Sequence, residues 1–396
     1  MNFRPLFLFF SLVSLSELSA ESWDALPKKA VPAARVTDAS AVDSEVLESS
    51  IKQGVDHLIK TQNANGSWGS VTRTKKLNIY APIPGAHHGY RMATSAIALC
   101  GLLESKDKRP ETLAAVDRCE KWMITALSKL KRAEGTSIYN NWGHAYGLRA
   151  LAALSKREGV SEAQIAKYKE LAQGQIDSLK LYQDLDGGWG YLALDAITAR
   201  PSRGSCSFMT ATVLLGVKEV SDTFGLNLER QRLDKALASI VRQRTPDFAY
   251  LYSAPHWDTP RFSLNRPAGS LARSPACNAA SRAWGDALVT DKVISGCLDK
   301  LIKRNGWLDI ARKRPKPHDI HFAISGYFYF YGHYYASECI GFLPTDEQAQ
   351  WKNLLARVIL DKQESDGSWW DYPLYNYHQA YGTGYALVTL SRCRLK

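Results

Sequence analysis

Side chains able to carry chemistry recur at the starts of six charge-poor stretches. They are His87 and His88, Trp142 with His144, Cys206, Cys277 with Asn278, His318 with His321, and Tyr377 with His378. Imidazole acts as a general acid or base near neutral pH and also binds Zn²⁺. His321, His378, His88 and His144 would form a rim metal site if neighbouring helices brought them together, with Asp371 from a nearby loop as a further ligand. No pair among them has the i,i+4 spacing of a dedicated helical metal site, so no metal or other cofactor is assigned. Left without an ion, these histidines serve as hydrogen-bonding or acid–base groups, and Asp371 and Tyr381 join them as catalytic candidates.

A carbohydrate lyase or hydrolase would draw on Asp195, Asp258, Asp319 and Asp371, with Tyr191, Arg200 and Arg203 close by in sequence. Glycoside hydrolysis needs two carboxyl groups about 5–9.5 Å apart, a distance set only by the fold. Tyr90, Trp142, Trp189, Tyr191, Trp370, Tyr377, Tyr381 and Tyr385 suit an apolar or sugar ligand, and equally an ordinary core. There is no Gly-x-Ser-x-Gly elbow, no His-Glu-x-x-His and no phosphate-binding glycine loop. The seven cysteines form no Cys-x-x-Cys pair, and an odd number leaves at least one thiol free or intermolecular. Cys206 and Cys277 are the favoured disulfide pair, provided their Cα atoms lie within about 7 Å.

Two kinds of helix must position these groups. Charged-face helices are expected near 45–62, 110–131, 161–182, 227–243, 291–304 and 346–363. In the first, Leu47, Ile51, Val55, Leu58 and Ile59 recur at helical spacing while Glu48, Lys52, Asp56 and Lys60 take other faces. Ser161 with Gln164 and Thr345 with Gln348 read as capping boxes. Helices poor in charge and rich in small residues alternate with these, near 88–104, 141–155, 205–220, 276–290, 319–339 and 377–393, as expected of elements buried on most sides. Connections into the charge-poor helices are long (63–87, 183–204, 244–274), whereas those out of them are short. Long loops without structure of their own usually serve function. One rim therefore collects the loops, the inner-helix N-termini with their free N–H groups, and the reactive side chains.

A repeat ties the pairs together. Gln62, Gly66 and Trp68 share their spacing with Gln183, Gly187 and Trp189 and with Gln363, Gly367 and Trp369. Asn305-Gly306-Trp307 reads as a worn fourth copy, and Gln243 to Tyr250 as a fifth. This Gln-xxx-Gly-x-Trp pattern on paired helices resembles the repeat of squalene and oxidosqualene cyclases, shared more weakly by protein prenyltransferase β subunits. The chain is also similar to exported bacterial toroids that carry the repeat without an assigned activity. The resemblance implies an all-α fold, an α/α toroid of six outer and six inner helices, over residues 45–396.

The catalytic signatures of those relatives do not transfer. The Asp-x-Asp-Asp acid of squalene-type cyclases is missing; Asp184-Leu185-Asp186-Gly187 lacks the final acid. Prenyltransferase zinc needs an Asp two residues before its Cys, where Cys277 has Pro275 and Cys206 has Gly204. The thioester motif Gly-Cys-Gly-Glu-Gln of related toroids is also absent.

Residues 1–20 read as a signal peptide, with Arg4 ahead of an apolar run from Leu6 to Leu15 and Ala20 before the cut. Residues 21–44 read as a flexible segment. The net charge of +11 and a pI near 9.2 favour anionic neighbours. The expected setting is periplasmic or extracellular, with no nucleic-acid partner and no membrane-spanning segment after cleavage. Three functions fit: a toroid binding an apolar or saccharide small molecule, or an anionic envelope polymer, in a rim pocket; an exported enzyme modifying polysaccharide or lipid; or an active terpenoid cyclase-like enzyme. Whether the chain is an enzyme, and in what oligomeric state it works, stays open at this level.

Overall fold

The structure is a computed structural model describing residues 36–75, 84–131, 140–191, 194, 200–202, 204–256, 263–265, 269–318 and 323–395. The expected signal peptide lies outside the described residues. Among those described, secondary structure is helical throughout, with two isolated bridges and no strand. No described helix is long and apolar enough to cross a membrane.

The outer helices are α1 (Ser44–Thr61), α3 (Pro110–Leu127), α5 (Glu162–Leu181), α7 (Arg230–Arg242), α9 (Asp291–Lys303) and α12 (Thr345–Leu360). The inner ones are α2 (Pro84–Ser105), α4 (Asn140–Leu154), α6 (Ser207–Phe224), α8 (Ser274–Ala283), α11 (Tyr329–Gly341) and α13 (His378–Arg392). A short α10 (Asn305–Ala311) stands between α9 and α11. Each inner helix packs on the next, and α13 packs on α2, so the inner ring is closed. This is the expected α/α toroid. Closure buries the inner helices nearly all round, as in α4, where thirteen residues from Asn140 to Leu154 are buried. An outer helix such as α1 buries only one stripe, including Leu47, Ile51, Val55 and Leu58.

The three repeats build the same joint. Each Gly turns the chain at positive φ (+93°, +94° and +83° at Gly66, Gly187 and Gly367), which glycine adopts at little cost. The Gln amide donates both to that Gly carbonyl and to the next outer helix: Gln62 to Ala115, Gln183 to Arg232 and Gln363 to Ser50. Each Trp is fully buried, and its Nε1 donates to a carbonyl of the helix just ended, at 2.8 Å from Leu58, Leu179 and Ile359. Its backbone N–H meets a hydroxyl of the following inner helix, from Ser95, Thr210 or Thr383. One motif thus joins three helices.

Several local expectations change. Asn305-Gly306-Trp307 is helical, not a repeat turn, because Asn305 is bonded to His333 and Tyr329 of α11. The copy near Gln243 exists one residue later. Arg244 takes the Gln place, Phe248 (φ +59°) the Gly place and buried Tyr250 the Trp place, with Thr245 N–H donating to Ala249 and Phe248 N–H to Thr245. The box at Ser161 forms, but the one at Thr345 does not. The cap there is Pro344, which has no N–H to donate, and Gln348 instead donates to Leu343. Helix α8 stops at Ala283, short of the expected 290, and α11 starts ten residues later than expected, after a 3₁₀ turn at Gly326–Phe328. The described end of the N-terminal segment is not loose: Asn353 and Arg357 of α12 bond residues 38–42 to the outer ring.

Candidate functional site: an aromatic cavity at the loop rim

The inner helices begin among the long loops, and there they enclose a cavity of about 250 Å³. Five of the six contribute from their N-terminal portions: Tyr90, Ala93, Thr94 and Ile97 from α2, Trp142 and Tyr146 from α4, Phe208 from α6, Tyr331 from α11, and Tyr381 and Tyr385 from α13. The loops and the 3₁₀ turn add Tyr191, Tyr252, Pro317, Tyr327, Phe328, Tyr372 and Leu374. Twelve of these seventeen side chains are aromatic, so the wall is made chiefly of ring faces and edges. Trp142 stacks on Tyr146 at 5.9 Å, and Phe208 meets Tyr252 and Phe328 edge-on at 5.0 Å.

The tyrosine hydroxyls are turned upon one another. Tyr191, Tyr252 and Tyr327 form one chain, ending where the Tyr327 hydroxyl donates to His318 Nε2 at 3.0 Å. Deeper in the barrel Tyr385, Tyr146, Tyr335 and Thr212 form another, and Tyr331 joins it at Thr212. Burial raises the pKa of every one of these phenols, so they stay neutral and hydrogen-bonded. Beneath this belt Arg149 is buried with Glu219 and Glu338, while Arg392 pairs with Glu338 and Glu104. That ion-pair cluster closes the end of the barrel opposite the loops.

No carboxylate lines the cavity among the described residues. Asp371 is one side chain behind it: Oδ1 accepts from the hydroxyl of wall residue Tyr381 at 2.7 Å, and Oδ2 from the Phe330 N–H at 3.1 Å. Burial lifts its carboxyl to about 7, although both hydrogen bonds pull the other way. A neutral acid therefore predominates below about pH 7, one hydroxyl behind the cavity wall.

The expected site residues divide sharply. Trp142, Tyr191 and Tyr381 are in the wall, and Asp371 supports it. The described histidines do not converge. His88 is exposed. His144 donates outward to Gln175 of α5 at 2.7 Å, and burial lowers it to about 4. His378 donates to the Tyr375 carbonyl and lies edge-on to Trp370. Helix geometry explains His144: Trp142 and Tyr146 share a face, and a residue midway between them points about 200° away. Among the described residues no three His, Cys, Asp or Glu side chains are grouped to hold a metal. Tyr377 is bonded to His87 outside the wall, and Trp189 belongs to its repeat joint. Asn278 braces the turn at 244–250, accepting from Tyr250 and donating to Phe248. Arg200 is exposed. His321, Arg203, Asp195, Asp258 and Asp319 lie outside the described residues.

Cys206 and Cys277 are not bonded; all seven thiols are free. Cys206 faces the Gly204 carbonyl, whereas Cys277 is beside the Ser207 hydroxyl. Wall residues missed by the sequence reading include Tyr146, Phe208, Tyr252, Tyr327, Phe328 and Tyr331. A signal for three of them was present, since Trp142/Tyr146 and Tyr327/Tyr331 repeat the i,i+4 aromatic spacing of Tyr381/Tyr385.

The profile of the squalene-hopene cyclase C-terminal domain matches residues 21–218. No curated protein sequence matches the chain. Among solved structures, the unsaturated glucuronyl hydrolase of Streptococcus agalactiae is similar at 10% identity and a TM-score of 0.56, covering 92% of this chain and 98% of that one. An α-1,6-mannanase of Salegentibacter bound to mannotetrose gives 9% identity and a TM-score of 0.52, covering 87% and 98%. A type II terpene cyclase of Scytonema with geranylgeranyl dihydroxybenzoate gives 14% and 0.51, covering 88% and 97%. At these identities the likenesses establish the toroid alone.

Proposed function

The chain belongs to the squalene-hopene cyclase C-terminal domain family, and we propose that it is an exported toroid whose rim cavity binds an apolar, polyprenoid-like molecule. The carrying observation is the wall: twelve aromatic side chains and no carboxylate among the described lining residues. A saccharide needs many polar partners to replace water, and the tyrosine hydroxyls here already serve one another. Aromatic rings favour hydrocarbon by apolar burial, at about 25 cal/mol per Å². The saccharide-acting relatives therefore share the barrel, while the wall of this chain suits the apolar reading.

Asp371 favours a second reading on the same ligand, in which the acid behind Tyr381 supplies or accepts a proton. One experiment addresses both. Purified protein is titrated with geranylgeraniol and, separately, with a mannose oligosaccharide, following intrinsic tryptophan fluorescence; the bound compound is then recovered and analysed. Micromolar binding of the prenyl alcohol, recovered unchanged, is expected. Conversion that disappears in Asp371→Asn would establish the catalytic reading. Preference for the oligosaccharide would overturn the apolar assignment.

A further inference from the structure

The cavity has a floor as well as a wall. Its lining on α2 runs from Tyr90 to Ile97, which at 1.5 Å per residue spans about 10 Å along the axis. Deeper than Ile97 the barrel is closed by rings that hold one another. The Tyr385 hydroxyl donates to Tyr146, Tyr146 and Tyr335 share a hydrogen bond, and Tyr331 donates to the Phe208 carbonyl at 3.0 Å. Tyr385, Tyr146 and Tyr331 line the cavity, whereas Tyr335 and Tyr334 stand behind them. The Arg149 guanidinium lies 5.4 Å and 5.1 Å from the ring centres of Tyr335 and Tyr334. A second hollow, of about 320 Å³, begins on that side and is lined by Tyr334 and Arg149. The Tyr385 and Tyr334 rings, 5.0 Å apart, form the partition between the two hollows.

We propose that the cavity measures its ligand, admitting about two isoprene units of hydrocarbon, and that the Tyr385 ring sets this limit. This rests on the apolar reading of the cavity and adds the size of what enters it. An apolar protein cavity of about 150 Å³ takes up one benzene ring, or about six carbons. The cavity of about 250 Å³ therefore has room for about ten. The floor resists a longer body for two reasons. Displacing one of its rings strips buried hydroxyls of their partners. Behind it lie the ion pairs of Arg149 with Glu219 and Glu338, which further hydrocarbon would have to break. Any remaining length of a longer ligand stays at the rim, among the loops.

The test titrates the protein with prenol, geraniol, farnesol and geranylgeraniol, which carry one to four isoprene units, following intrinsic tryptophan fluorescence. Affinity should rise at least about tenfold from prenol to geraniol, as burial of the added carbons requires, and less than about threefold at each later step. In Tyr385→Ala the steep gain should extend to farnesol. Tyr385→Phe keeps the ring and should keep the limit of the unmutated protein. Ala93→Leu adds bulk to the wall without emptying the floor, and should bring geraniol down towards prenol. Affinity that climbs evenly through geranylgeraniol in the unmutated protein overturns the inference while leaving the apolar cavity intact. A limit unmoved in folded Tyr385→Ala also overturns it. If that variant does not fold, an unmoved limit in Ala93→Leu overturns it instead. Failure of all four alcohols to bind removes the cavity reading and this one together.

Discussion

Asp371 is fully buried, and burial lifts its carboxyl to about 7 from the ~4 of an unfolded chain. Between those values the folded protein keeps a proton that the unfolded chain has released. The contribution is therefore complete below about pH 4 and is lost as pH rises through about 7. The slope for one whole proton is about 1.4 kcal/mol per pH unit. Asp371→Asn cannot ionise, so the unfolding free energy of wild type minus variant should shrink between pH 5 and pH 8. Denaturant unfolding at both values measures it, and a constant difference would mean an ordinary carboxyl. His144 and His333 act in the opposite direction. Burial holds each at about 4, so their contribution is present above about 6.5 and is lost as pH falls. Both proteins share these histidines, which is why the difference, not either curve alone, reports on Asp371.

At the scale of the element, the repeat is a joint in which the Gln amide, the Gly carbonyl and both Trp N–H groups are hydrogen-bonded. Trp369 is buried between α12, α13 and α1, and the Cβ that Gly54 lacks would lie 2.6 Å from its ring. Trp369→Ala should cost about 3–5 kcal/mol, from lost burial and from a space that close-packed neighbours cannot fill. Trp369→Phe keeps most of the volume but abandons the Ile359 carbonyl, and should cost about 1–3 kcal/mol. Chemical denaturation separates the two, and a loss below about 1 kcal/mol for the alanine variant would refute the structural role. The turn at 244–250 shows how far the motif bends. With Phe248 in the glycine place the backbone still turns left-handed, braced by Asn278 and by the Arg244 guanidinium 4.9 Å from the Phe248 ring.

For the whole molecule, the decisive contact is where the first inner helix meets the last. The Cα of Gly384 in α13 lies 3.0 Å from where a Cβ on Gly101 of α2 would stand, and a Cβ on Gly384 would meet the Ile97 carbonyl at 2.7 Å. Gly384→Ala must push backbone against backbone, costing about 1–3 kcal/mol and outweighing the ~1 kcal/mol that alanine gains in a helix. Gly174 on outer helix α5 has nothing within 4 Å, so Gly174→Ala should stabilise by about 0.5–1 kcal/mol. Opposite shifts in the unfolding midpoint are expected from the same substitution, and equal shifts would show that ring closure is not the tight point.

The sequence by itself determined the two helix classes, the three full repeats and the rim that gathers the loops. Each is written in local chemistry: a one-sided apolar stripe, a Gly-Trp turn after a helix, and unequal connection lengths. Only the tertiary structure decided which way the inner helices face. They are buried nearly all round, so burial gives them no preferred direction, and Trp142 and His144 looked equally fit to face the cavity. Their rotation is set by close approaches between residues distant in the chain, such as a Cβ on Gly216 meeting the Ala145 carbonyl at 2.7 Å. The separation of Cys206 from Cys277, the outward turn of His144 and the placing of Asp371 behind Tyr381 all follow from that packing, which no stretch of local sequence records.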